Sequence, residues 1–291
     1  MKKDWKKKME KEYLYRKHLR KPGLLFGTII GFFAVVYIGM LVTAVLVAGD
    51  EMNATVIGAL IGIGVFIIVL LGLEFLLLYF ILFRRFKNIN IKVKDDEIIY
   101  KNLKGTATIK YDEITKIKFP SLPYIGGWVK IIYGNKQNIR LTVVVENIGD
   151  FILDLKNKMD SIGKQDVYIR RRMFSFYKTA KYSDYSWERL YKYTKRIGLF
   201  ILLNLLVSVL IGKLTTNTSA TIATSFLAVF CPIIVYLICE IILAIKAAGK
   251  SKGEEFYVPD RDEVLEGKIY KYAFAIYSVL YIIIAFLIGR M

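Results

Sequence analysis

The sequence predicts an α-helical polytopic membrane protein of about five transmembrane helices, with one sheet domain, closed by a helix, inserted between the second and third spans. Two observations carry this. Of 291 residues 55% are hydrophobic, yet the formal net charge is +18. Both extremes fit one chain only when apolar and basic residues are segregated, and here apolar runs of membrane length alternate with basic stretches. Residues 88–161 alone break that habit: they alternate with period two and then switch to a helical stripe.

Residues 1–23 hold ten Lys and Arg among Trp5, Tyr13 and Tyr15. They are expected to form a basic interfacial segment, rings at the headgroups and cations on anionic lipid. A first transmembrane hairpin covers 24–83, with spans at 24–48 and 55–83. Gly27 and Gly31, and likewise Gly58 and Gly62, stand four residues apart. That spacing lets helices approach closely, so the two spans are expected to pack small faces together. Glu74 lies well inside the second span, where an ionisable side chain is costly. It either handles ions or protons, meets a partner helix, or is a structural glutamate turned to the bundle. Arg84 and Arg85 then mark a cytoplasmic membrane surface.

Residues 84–163 read as the water-soluble domain. Ile89, Ile91 and Val93 alternate with Asn90, Lys92 and Lys94, as in a strand with one wet face. EIIYKN, GTATIKY, 112–119, 128–133 and 139–145 follow as short strands, with a hairpin signal at Gly134-Asn135. Ile148, Phe151, Ile152, Leu155 and Met159 then mark one helix face. Asn147 is its expected N-cap, with Asp150 three residues on.

The strand order, the stretch YKNLKGTATIKYDEITKIKF and the terminal helix NIGDFILDLKNKM resemble the bacterial pleckstrin-homology (PH) domains of multi-spanning membrane proteins. The resemblance covers residues 88–162, about a quarter of the chain. It implies a PH-like cytoplasmic module that acts as a scaffold rather than an enzyme. It also implies a role in membrane stress or in self-protection against membrane-active bacteriocins.

Residues 164–196 form a basic aromatic linker. Arg170, Arg171 and Arg172 stand beside Phe174, Phe176 and Tyr177, a pattern that suits nucleic acid or a membrane surface. The membrane surface is preferred, because another span follows. A second hairpin covers 197–245, with spans at 197–213 and 220–245 and Glu240 near the far end. A cytoplasmic loop at 246–269 carries clustered acids without the spacing of a calcium loop. A fifth span covers 270–289. The segments 12–26 and 188–200 are alike, and each precedes a hairpin whose second member bears one glutamate, so the chain is a candidate duplication.

Charge sets the expected orientation. Residues 1–22 hold ten Lys/Arg and 84–196 hold 25, whereas the expected outer loops hold almost none. The N-terminus and the inserted domain are therefore assigned to the cytoplasm, and five spans place the C-terminus outside a cell membrane. Cys231 and Cys239 lie about 12 Å apart along one helix, too far for a disulfide. With His18 the single histidine, no histidine triad or two-histidine metal site can be built. No catalytic, cofactor-binding or metal-binding set is expected. The expected partners are the anionic inner leaflet and another membrane protein or a second copy, with no nucleic acid. The leading function is a non-enzymatic scaffold or accessory subunit. The alternative is a subunit of an ion- or proton-linked transporter that uses Glu74 and Glu240.

Overall fold

The computed structural model describes residues 11–48, 53–215, 217–253 and 255–290. Trp5 and the rest of the 1–10 segment, the loop at 49–52 and Glu254 lie outside the described residues. The chain divides into two compact units, one built on the sheet residues and one on the apolar helices.

The sheet unit starts earlier in the chain than the sequence suggests. Strand β1 (Lys11–Leu14) pairs antiparallel with β2 (Asn90–Val93), matching Tyr13 to Ile91. Strands β3 (Glu97–Asn102) and β4 (Gly105–Lys110) complete a four-stranded sheet in the order β1-β2-β3-β4. The second sheet is centred on β7 (Gly126–Tyr133), which pairs with β5 (Ile114–Lys118), β6 (Ser121–Leu122) and β8 (Gln137–Thr142). Beyond β1, Tyr15 bridges to Val145, and the Glu146 amide donates to the Leu14 carbonyl at 2.9 Å. Of the segment expected at the membrane surface, Lys11–Leu14 are thus strand. Tyr13 and Tyr15 lie in the core with Ile91, Ile98, Val129 and Leu141, because alternation turns their rings inward and Glu12 outward. Lys11, on the tyrosine face but at the strand's start, pairs with Asp154 at 2.7 Å.

Helix α3 (Ile148–Ser161) covers this core with the face read from the sequence. Ile148, Phe151, Ile152, Leu155 and Met159 are all buried, and each such side chain contributes about 1.5–3 kcal/mol over exposure. A side-chain N-cap is worth about 1 kcal/mol, and α3 does without one. Asn147 adopts φ +56° and makes no cap bond. Asp150, expected to assist the cap, instead holds Lys181 at 2.6 Å. The apolar face therefore decides where α3 sits.

The linker expected at the membrane surface is the start of helix α4 (Arg170–Thr215). Its residues Met173, Phe176, Tyr177 and Ala180 are buried in the sheet unit's core, with Tyr168 just before them. The return segment 247–259 adds Val258 to that core, and Phe256 packs against it. Arg16 reaches Asp184 in a buried ion pair and lies over the Trp187 ring at 5.5 Å.

The second unit holds the apolar helices: α1 (Pro22–Ala48), α2 (Ala54–Leu78), the later part of α4, α5 (Thr218–Lys250) and α6 (Glu263–Arg290). Among the described residues five helices are long and apolar enough to cross a membrane. Helix α2 runs on through a π-helical turn, Tyr79–Phe83, to Asn88. Helix α4 has 46 residues, about 69 Å of helix against about 30 Å of hydrocarbon. Only its apolar part, from Ile197, is span. The two like segments, 12–26 and 188–200, differ in structure: one begins as strand and the other is helix throughout. They are not a structural duplication.

Candidate functional site

The most concentrated chemistry in the helical unit is a buried ion network around Arg189. Its side chain is 2% exposed. Its Nε donates to Glu240 Oε1 at 2.7 Å and its Nη2 to Oε2 at 2.8 Å, a two-pronged pairing. The remaining terminal nitrogen, Nη1, donates to Glu266 Oε1 at 2.9 Å. Glu266 also accepts from Arg261 Nη2 at 2.7 Å, and Arg261 Nη1 turns to Glu188 at 2.5 Å. The Tyr270 hydroxyl donates to Glu240 Oε1 at 2.5 Å. Its ring stacks on Tyr193 at 3.9 Å and lies 5.7 Å from Tyr236. Lys192 and Glu263 pair at 2.8 Å at the exposed rim.

Local sequence puts each group in place. Arg189 and Tyr193 are four residues apart on α4 and so share a face, as do Glu266 and Tyr270 on α6. Asp262 caps the α6 N-terminus by accepting from the Leu265 amide at 2.8 Å. That cap starts the helix inside the stretch expected as an acidic loop.

A polar ladder continues among the same three helices. Asn204 Nδ2 donates to the Tyr277 hydroxyl at 2.5 Å. The Ser208 and Tyr281 hydroxyls lie 2.6 Å apart, and Tyr281 also donates toward the carbonyls of Asn204 and Thr224 at 2.9 and 3.1 Å. Small residues permit the approach. A side chain at Gly212 would collide with Thr221, and one at Gly289 with Ile211 and Thr215.

The residues singled out from the sequence fall in different places. Glu240 is inside the network, its carboxylate occupied by Arg189 and Tyr270. Glu74 is exposed on α2, and among the described residues its side chain makes no hydrogen bond or ion pair. Gly27, Gly31, Gly58 and Gly62 do not make the helix contact expected of them. Among the described residues no atom from another part of the chain lies within 4 Å of where their side chains would begin. The α1–α2 contact is made elsewhere: the Tyr37 hydroxyl donates to the Leu60 carbonyl at 2.6 Å, and its ring lies against Gly64. Arg84 and Arg85 are exposed past the π-helical turn. Arg170 pairs with Glu255 at 2.5 Å, while Arg171 and Arg172 are exposed. Among the described residues no group of three His, Cys, Asp or Glu is placed to hold a metal ion.

Arg189, Arg261 and Glu266 lie in flanks that the sequence reads as surface, and Tyr270 opens the fifth span as one apolar-run residue among others. A usable signal is present: Glu266, Tyr270, Phe274, Tyr277 and Tyr281 follow one another at helical spacing, and all are buried. Five apolar helices with a small antiparallel sheet unit define a multi-pass membrane protein. Comparison with family models, curated proteins and solved structures finds no match to the chain.

Proposed function

We propose that this chain is a non-enzymatic membrane scaffold or accessory subunit, with a PH-like module at the inner surface of the cell membrane and a helical hairpin that meets another membrane protein or a second copy. The observation that carries the reading is Glu74. It stands on α2 between Leu70 and Leu77, both exposed, and its carboxylate has no partner within the chain's described residues. A carboxyl group on a lipid-facing helix is expensive unless a donor covers it, and a neighbouring helix with a basic or amide side chain supplies one. The two sheets closed by α3 support the PH-like identity. The excess of Lys and Arg in 1–22 and 84–196 supports a cytoplasmic sheet unit and, with five spans, an external C-terminus.

Transport through matched glutamates draws less support. Glu240 is neutralised by Arg189, and its surroundings share nothing with those of Glu74.

A photoreactive residue at position 70 or 77, activated in intact cells, tests the reading. A protein adduct that disappears in Glu74→Ala is the expected result; adducts with lipid alone overturn it. Protection against membrane-active peptides, the setting the resemblance implies, fails if deletion leaves peptide sensitivity unchanged. Flux in liposomes that is abolished by Glu74→Gln with Glu240→Gln would favour the transporter.

A further inference from the structure

Three arginines open α4, and they are used differently. Arg170 is taken up by Glu255. Arg171 and Arg172 are exposed, and among the described residues neither meets a carboxylate. Both line a cleft of ≈ 470 Å³ in the sheet unit, shared with Ser121 and Ser175 and walled by Phe119 and Ile169. Among the described residues no acidic residue lines it. Some basic side chains of this unit are ion-paired, Lys11 with Asp154, Lys156 with Asp160 and Lys181 with Asp150; Arg171 and Arg172 differ from the exposed lysines of the strands in lining a cleft. Two cationic residues that line one cleft without a carboxylate among its described lining favour an anion there.

The chemistry of the cleft selects the anion. Guanidinium groups present paired N–H donors that match a tetrahedral oxyanion. Two serine hydroxyls add neutral donors, and the first turn of α4 holds no acid to offset its positive end. Close approach of β7 to β6 sets the Ser121 wall, since a side chain at Gly127 would meet Ser121 Cβ at 2.6 Å. The cleft lies within the about 300–1,000 Å³ usual for small-molecule sites and far exceeds the about 30 Å³ of one water. Bare inorganic phosphate leaves most of it, including the Phe119 and Ile169 walls, unfilled.

We propose that this cleft binds an organic phosphate: the phosphoryl group on Arg171 and Arg172, the serine hydroxyls beside it, and an apolar or aromatic moiety against Phe119 and Ile169. The phosphate belongs to a soluble ester or to a lipid headgroup, and the same side chains recognise either.

The test uses the full chain in phosphatidylcholine nanodiscs, titrated calorimetrically with phenyl phosphate and with inorganic phosphate. Phenyl phosphate is expected to bind the more tightly. Arg171→Ala and Arg172→Ala are each expected to weaken it roughly tenfold, and Lys104→Ala on a distant turn is expected to change nothing. Both alanine variants should melt with the parent, since among the described residues neither side chain is in an ion pair; that separates lost binding from lost folding. In a second arm, phosphatidic acid is added to the nanodisc. Competition with phenyl phosphate, or hydrogen-exchange protection at 119–121 and 169–175 that the double alanine variant lacks, assigns the site to a headgroup. Phenyl phosphate binding with no such effect assigns it to a soluble ester. Absence of phenyl phosphate binding, together with identical exchange in parent and variant on phosphatidic acid, overturns the proposal.

Discussion

Arg189 sits where few arginines can, almost wholly out of water, with three of its nitrogens bonded to two carboxylates. Removing one member of such a group leaves an uncompensated buried charge, which costs about 3–5 kcal/mol, whereas replacing both by apolar residues is often near neutral. Arg189→Met alone is therefore expected to lower the melting temperature in detergent sharply. Arg189→Met with Glu240→Met should recover much of the loss; additive losses would show that the pair is not coupled. In the charged part of α4, before the span begins, Asp184 poses a related problem. Burial raises its carboxyl from 3.8 to about 6, against the opposing pull of Arg16. The folded state then holds a proton that the unfolded state has released. This contribution to stability is full below pH 3.8 and is lost as pH rises through about 6. His18, lowered by burial and by Arg16, works in the opposite sense as pH falls below its ordinary 6.5. The clean measurement is the difference between parent and Asp184→Asn: the parent should lose stability relative to the variant between pH 4 and 6, and parallel curves would contradict the assignment.

The helices differ in what their small residues do. Gly212 and Gly289 lie where a side chain would strike a neighbouring helix, and Gly64 where it would strike Tyr37. Gly27, Gly31, Gly58 and Gly62 lie in open space. Four-residue spacing marks a permitted approach, not a contact; contact depends on which face the rest of the helix turns inward. On α6 that face is chosen by tyrosines whose hydroxyls reach Glu240, Asn204 and Ser208. Gly212→Val should therefore lower thermal stability in detergent, while Gly58→Val should leave it near the parent. Equal effects would mean that the α4–α5 approach is not set at Gly212.

Across the whole molecule, the sheet unit is assembled from three separated stretches of chain. Strand β1 and Arg16 precede the first two apolar helices, and Val258 follows α5. Folding this unit therefore requires loop closure over the helices that interrupt it, and an excised 78–187 fragment lacks both β1 and the return segment. That fragment should exchange rapidly at β2, whose edge is left unpaired. Fusing 11–21 to its start should slow exchange there. If the fragment alone were as protected as the parent, β1 would be an accessory rather than part of the core.

Residues 88–161 were legible as sheet and helix because alternation and the Ile148–Met159 stripe are local patterns that report which face is buried. Five apolar runs were legible because the bilayer imposes a length. Strand β1 was not. Four residues beside a lysine-rich stretch carry too short a pattern, and their partner β2 lies beyond two apolar helices. The aromatic linker was misread for the same reason: Phe176 and Tyr177 look alike whether they face lipid headgroups or a protein core. Within the candidate network the sequence pointed to Glu240, since a carboxylate in an apolar run stands out. Arg189, Arg261 and Glu266 did not stand out in charged flanks. By itself, then, the sequence determined the alternation of membrane and water-soluble segments, because transfer free energy depends on composition and length. Only the tertiary structure decided which distant segments close the sheet, which glutamate is neutralised and which is left facing outward, because those outcomes depend on pairings between groups far apart in the chain.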